Sequence, residues 1–150
     1  MSASLLDVNV LIALFWPAHE FHDRAQRWFV KNAGGARVES TFNRWATCSF
    51  TEAGFVRIVS NPRFSPQAVQ PREAMRLLRS NLDSKSHVFW RDNTNFLDIV
   101  ATFEPRITVH QQVTDAYLLG LAKAHRGWLV TLDRGIVALA SGQVQVECIA

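Results

Sequence analysis

The chain is short of several things. It has only two cysteines, Cys48 and Cys148, and their placement matches no metal-ligand spacing. The expectation is two reduced, buried thiols rather than a bridge. No window approaches the roughly 18–20 unbroken apolar residues of a membrane-spanning helix. Asp7 precedes every Lys and Arg, so the N-terminus lacks the basic stretch of a signal peptide. No repeat, low-complexity tract or linker interrupts the chain. Together these absences predict a soluble, cytoplasmic protein with no membrane partner, and one domain over residues 1–150. What remains is substantial: 48% of the 150 residues are hydrophobic and only 19% charged, enough for a real core and too apolar for disorder.

Lysine is also scarce. Sixteen basic residues face 13 acidic ones for a net charge of +3, and only three of the sixteen are Lys. Arginine makes planar, bidentate contacts with phosphate, so the bias fits an anionic partner, although an arginine-rich proteome would leave the same mark. If four carboxylates are withdrawn into a metal site, the remaining surface favours approach of a polyanion.

Short apolar runs alternate with helical periodicity. Ser4–Leu6 reads as a buried strand ending at Asp7, and the apolar stretch Val10–Trp16, stopped by Pro17, as a helix. His19–Val30 carries Phe21, Ala25, Trp28 and Phe29 at half-buried helical spacing. Asn32–Gly35 is a turn. Trp45–Cys48 is a second strand, and Ser49-x-x-Glu52 has the form of a capping box opening a helix to Val59. A helix runs from Pro71 to Leu82 with Ala74, Leu77 and Leu78 inward. His87–Trp90 reads as a strand and Phe96–Val100 as a short helix. Gln112–His125 is a helix closed by Gly127 as its C′ residue. Trp128–Leu132 is a strand buried on both faces, Ile136–Leu139 a short helix and Val144–Ile149 a last strand. The order predicts an α/β fold: a three-layer α/β/α sandwich around a mostly parallel sheet.

In that architecture four carboxylates share one kind of place. Asp7 and Asp133 follow strands; Glu52 and Asp115 lie in first turns of helices. Strand C-termini and helix N-termini meet at one sheet edge, where ligands bind. Carboxylates crowded there repel unless a cation intervenes. Oxygen-only donors suit Mg²⁺, with Mn²⁺ as a substitute, and such a site hydrolyses phosphodiesters. Each acid also has a plainer reading. Asp7 and Asp133 could simply cap the following helices, Glu52 could complete the capping box, and Asp115 could complement a helix dipole.

The words around these acids are specific. They are Leu5-Leu6-Asp7-Val8-Asn9-Val10-Leu11, Thr51-Glu52-Ala53-Gly54-Phe55-Val56-Arg57, Val113-Thr114-Asp115-Ala116-Tyr117-Leu118 and Leu129-Val130-Thr131-Leu132-Asp133-Arg134-Gly135. In this order they resemble the PIN-domain family, and within it the VapC toxins of VapBC toxin–antitoxin modules, from about Ser4 to Ile149. The resemblance implies an endoribonuclease using Mg²⁺ or Mn²⁺. It implies a homodimer and a cognate VapB-like antitoxin, in a heterotetramer or larger assembly that meets operator DNA only through the antitoxin. Residue by residue, it makes Asp7 and Asp115 direct metal ligands, with Glu52 and Asp133 completing the site and Asn9 and Thr131 supporting the first and last acids. Arg57 and Arg134 lie close to acids and could pair with a substrate phosphate. Arg57 could equally face elsewhere or meet a carboxylate.

Two other readings compete: a structure-selective DNA nuclease, and a non-catalytic α/β interaction module whose acids are helix caps. His19 and His22 lack a third ligand and read as packing residues, and His110 and His125 as flanking polar residues. Trp28 and Trp128 fit the core. Trp16 and Trp90 are open between the core and an interface with a dimer partner or antitoxin.

Overall fold

Strands buried on both faces need helices on both sides, and the alternation of side chains along each strand shows how that need is met. The computed structural model describes residues 3–32 and 44–150. Five strands, β1 (Ala3–Leu6), β2 (Arg44–Thr47), β3 (His87–Phe89), β4 (Trp128–Thr131) and β5 (Gln145–Cys148), form one sheet in the order β3-β2-β1-β4-β5. Among the described residues every pairing is parallel, so the mostly parallel sheet expected from sequence is wholly parallel there. Leu5, Ala46 and Leu129 point into one core with Leu118, Leu119, Leu121 and Ile136. Their neighbours Leu6, Trp45 and Val130 point into the other, with Val10, Leu11, Phe55 and Leu78. This period-two division is the α/β/α sandwich.

The first layer holds α1 (Val8–Phe15), α2 (His22–Asn32), α3 (Ser49–Val59) and α4 (Pro71–Leu82). The second holds α5 (Phe96–Val100), α6 (Gln112–Ala124) and α7 (Arg134–Ala140). Strand order reverses across the β1–β4 pair, since the chain leaves β1 toward β2 and β3 and later returns to β1's other side. That junction is the switch point of an open parallel sheet, where the strand C-termini leave a crevice.

Several local expectations need correction. Helix α2 starts at His22, not His19, because the His19 imidazole accepts the Phe21 N–H at 3.0 Å and holds a turn before the helix. Helix α3 is capped by Cys48, not Ser49: Thr51 Oγ1 accepts the Cys48 N–H at 3.0 Å, the reciprocal bond that the sequence suggested for Glu52. Helix α6 closes with Arg126, not Gly127, in the left-handed position at φ 55°. The paired bonds Gly127 N–H to Ala122 O (2.9 Å) and Arg126 N–H to Lys123 O (3.1 Å) are a Schellman closure. Gly127 is required for another reason, because a Cβ there would stand 2.5 Å from both the Ala3 carbonyl oxygen and the Trp90 ring. Trp128, expected in the core, is 39% exposed and belongs to neither cluster, whereas Trp16, Trp28 and Trp90 are all buried. Cys48 is buried and Cys148 only partly so, and both are free thiols. The expected turn at Asn32–Gly35 runs into residues outside those described.

Among the described residues no helix is long and apolar enough to cross a membrane.

Candidate active site

The end of β1 delivers Asp7 into the switch-point crevice. Its N–H bonds to the Val130 carbonyl at 2.9 Å, so sheet pairing continues up to the acid itself. The side chain is only 8% exposed, and each oxygen is held: Oδ1 by the Val8 N–H at 2.7 Å, Oδ2 by the Thr131 hydroxyl at 2.7 Å. Burial pushes the Asp7 carboxyl above its ordinary range; the bonds from Thr131 and Val8 oppose that rise, and the charge of Asp133 adds to it.

The neighbouring strand end is built around the same hydroxyl. Thr131 is fully buried and, while donating to Asp7, accepts the Asp133 N–H at 3.0 Å. Asn9 Oδ1 accepts the Leu132 N–H at 3.2 Å, tying the first turn of α1 to the chain leaving β4. Asn9 and Thr131 thus occupy supporting positions at this junction. Asp133 is exposed and caps α7 through the Gly135 N–H at 2.8 Å.

Asp115 arrives from the second helical layer, in the first turn of α6. Its carboxyl is pushed up to about 6, first by burial and then by the charges of Asp7 and Asp133. Three aspartates from three separate elements therefore feel one another. Capping accounts for Asp7 and Asp133 individually, since both do cap helices. It does not account for a third carboxylate brought up against them at an electrostatic cost.

Glu52 stands one strand further along, in the first turn of α3. Its Oε2 accepts from Thr47 Oγ1 at 2.7 Å. Thr47, fully buried at the end of β2, also lies 2.8 Å from His87 Nε2. Glu52 is thus held from the β2 side of β1, and Asp7 from the β4 side.

Among the described residues no three His, Cys, Asp or Glu side chains form a ready-made metal cage. The donor chemistry nonetheless suits Mg²⁺, which keeps much of its water and is held through one or two carboxylates plus substrate phosphates rather than an all-protein cage. A divalent cation would also relieve the repulsion that adds to the effect of burial at Asp115.

Arg57 and Arg134 are both exposed, and the one ion pair among the described residues is Arg76–Glu73, so neither is committed to a carboxylate there. Arg134 directly follows Asp133 at the start of α7; Arg57 lines the groove between α3 and α4 together with Glu52. Two of the remaining histidines make structural contacts. His22 Nδ1 meets the Ala13 carbonyl at 2.7 Å, and His125 stacks on Trp90 at 4.6 Å with Nε2 on the Arg91 carbonyl. His110 is exposed. The sequence reading missed the part of Thr47 and His87, since neither lies in an acidic motif.

Comparison with known proteins gives the family and the fold. A family model described as "PIN domain" matches residues 4–141. Ribonuclease VapC38 of Mycobacterium tuberculosis is 42% identical over 137 residues, covering 91% of this chain and 89% of that protein. Ribonuclease VapC39 of the same species is 40% identical over 144 residues, covering 95% and 98%. The crystal structure of FitAcB from Neisseria gonorrhoeae superposes with a TM-score of 0.62 at 17% identity, covering 97% of each chain. The structure of FitAB bound to an IR36 DNA fragment gives 0.64 at 18%, covering 97% and 94%. These two likenesses concern the fold.

Proposed function

This chain belongs to the PIN-domain family, among the VapC proteins, and on that premise we propose that it is a Mg²⁺-dependent endoribonuclease, the toxin of a type II toxin–antitoxin module. The observation that carries the reading is the gathering of Asp7, Asp115 and Asp133 at the β1–β4 switch point, where burial first, and then the charges of Asp7 and Asp133, push the Asp115 carboxyl up to about 6. A fold tolerates such a cost where it serves function.

Asp7 and Asp115 would hold the ion, with Asp133 and Glu52 completing the acidic set. Bound Mg²⁺ supplies Lewis-acid stabilisation of phosphate charge and makes water a better nucleophile. The chain's own part is preorganisation. Thr131 and the Val8 N–H fix both oxygens of Asp7, so the carboxylate need not reorient when substrate arrives. Asn9 fixes the chain leaving β4, and with it Asp133 and Arg134. Arg134 would meet the substrate phosphate beside the acids, and Arg57 would meet one along the α3–α4 groove.

The partners follow from the same reading. The substrate is RNA, as in the names of the VapC relatives. A VapB-like antitoxin would restrain the enzyme, with a homodimer as the toxin's own state and operator DNA met through the antitoxin. The test is cleavage of total cellular RNA by purified, antitoxin-free protein with Mg²⁺, with EDTA, and with DNA oligonucleotides alongside. We expect Mg²⁺-dependent RNA ends that Asp7→Asn and Asp115→Asn remove. Cleavage of DNA alone, or RNA ends that persist in both variants, would overturn the reading.

A further inference from the structure

The two fully buried threonines flanking β1 have parallel tasks. Thr131 ends β4 and donates to Asp7 Oδ2 at 2.7 Å; Thr47 ends β2 and donates to Glu52 Oε2 at 2.7 Å. A hydroxyl carries one proton, so a threonine that donates to a carboxylate can only accept from its other neighbour. For Thr131 that neighbour is the Asp133 backbone N–H. For Thr47 it is His87 Nε2 at 2.8 Å, which must therefore carry a proton.

We propose that His87 is a positioning residue for Glu52, acting through the hydroxyl of Thr47. The chain of bonds runs one way: His87 Nε2–H to Thr47 Oγ1, then Thr47 Oγ1–H to Glu52 Oε2. Its polarity orients Glu52 as an acceptor and leaves Oε1 without a protein partner among the described residues. The imidazole is itself braced. It opens β3 in register with Trp45, whose ring lies 4.7 Å away and whose Nε1–H is anchored on Ser86 Oγ at 3.0 Å. Trp45 and Ser86 are buried, so β2 and β3 fix His87 independently of Glu52. The role for His87 rests on Glu52 belonging to the RNA-cleaving site proposed above.

Two measurements test it. The first needs no catalysis: ¹⁵N NMR of the His87 ring in the wild type should show the proton on Nε2, and Thr47→Val should shift that resonance. A proton on Nδ1 alone in the wild type overturns the proposal. The second is RNA cleavage across a double-mutant cycle. His87→Leu and Thr47→Val should each lower kcat by roughly 10- to 100-fold, the usual cost of losing a supporting partner, with KM little changed. His87→Gln and Thr47→Ser, which keep a donor and a hydroxyl, should recover most of the loss. In a Glu52→Gln background, His87→Leu should cost no more than twofold. An equal loss in both backgrounds means a general structural effect and overturns the proposal, as does full activity of His87→Leu while Glu52→Gln is impaired. Activity of Glu52→Gln equal to wild type, or no RNA cleavage by wild type, instead sinks the assigned role of Glu52 or the ribonuclease reading itself, whatever the ring tautomer.

Discussion

On the β4 side of β1, Asp7 is gripped by a threonine that is itself gripped by a backbone N–H. On the β2 side, Glu52 is gripped by a threonine whose other neighbour is an imidazole. The first arrangement is rigid, because its last link is the main chain leaving the strand. The second ends in a side chain at the sheet's edge strand and can be removed without disturbing the backbone. The contrast suits their places: Asp7 is buried among charges that repel, whereas Glu52 is only half-buried at the mouth of the α3–α4 groove.

The largest effect should come from breaking the rigid side at its acid. Asp7→Asn keeps a carbonyl oxygen to accept the Val8 N–H, turns an amide donor toward Thr131 Oγ1 and removes the buried charge. RNA cleavage should fall by more than the roughly 10- to 100-fold typical of losing a supporting partner. Thermal unfolding without divalent cations should occur no lower than in wild type. A variant that unfolds early would show Asp7 to be chiefly a structural cap.

Thr131→Val comes next. It strips a donor from Asp7 and orphans the Asp133 N–H, and should cost about 1–3 kcal/mol in chemical denaturation as well as activity. Thr47→Val should cost less stability, since it leaves no backbone group unpaired. A larger loss at Thr47 would invert the comparison.

The pH response separates the sides further. Asp115 titrates at about 6 in the folded protein against an ordinary value of 3.8. Between those values the folded chain holds a proton that the unfolded chain has released. The penalty for the ionised form is therefore fully present above pH 6 and disappears as pH falls toward 4. Without metal, the wild type should gain thermal stability relative to Asp115→Asn on going from pH 7 to pH 5. Saturating Mg²⁺ should abolish that gain, and a flat difference without metal would remove the electrostatic case for the cluster.

The smallest effect lies at the other end of β4. Arg126 adopts the left-handed conformation that closes α6. Arg126→Gly should add about 0.5–1 kcal/mol of stability by relieving a strain of order 1 kcal/mol, partly offset by greater freedom of the unfolded chain. Cleavage should be unchanged, which makes it a control for stability effects that do not reach the site.

Much of this architecture was legible in the sequence. Runs such as Trp128–Leu132 and the periodicity of Gln112–His125 depend on burial patterns that a linear reading captures. Asp7, Asp115 and Asp133 were legible because each follows a strand or opens a helix, so that topology alone gathers them. Local chemistry was harder. Ser49-x-x-Glu52 looked like a capping box because Ser is a common cap, but the helix begins one residue earlier and Thr51 takes the reciprocal bond. That frees Glu52 for Thr47. Gly127 looked like the left-handed residue, yet backbone crowding at Ala3 and Trp90 is what requires it. The Thr47–His87 link could not be read at all, because it joins residues 40 positions apart through a strand register that only the folded sheet supplies.

Everything proposed for this chain depends on Asp7 and Asp115 holding one divalent cation. Calorimetric titration of Mn²⁺ into antitoxin-free protein tests it most directly. The wild type should give saturable binding heat that Asp7→Asn and Asp115→Asn each abolish. Equal heat in wild type and both variants, or none in the wild type, would contradict it.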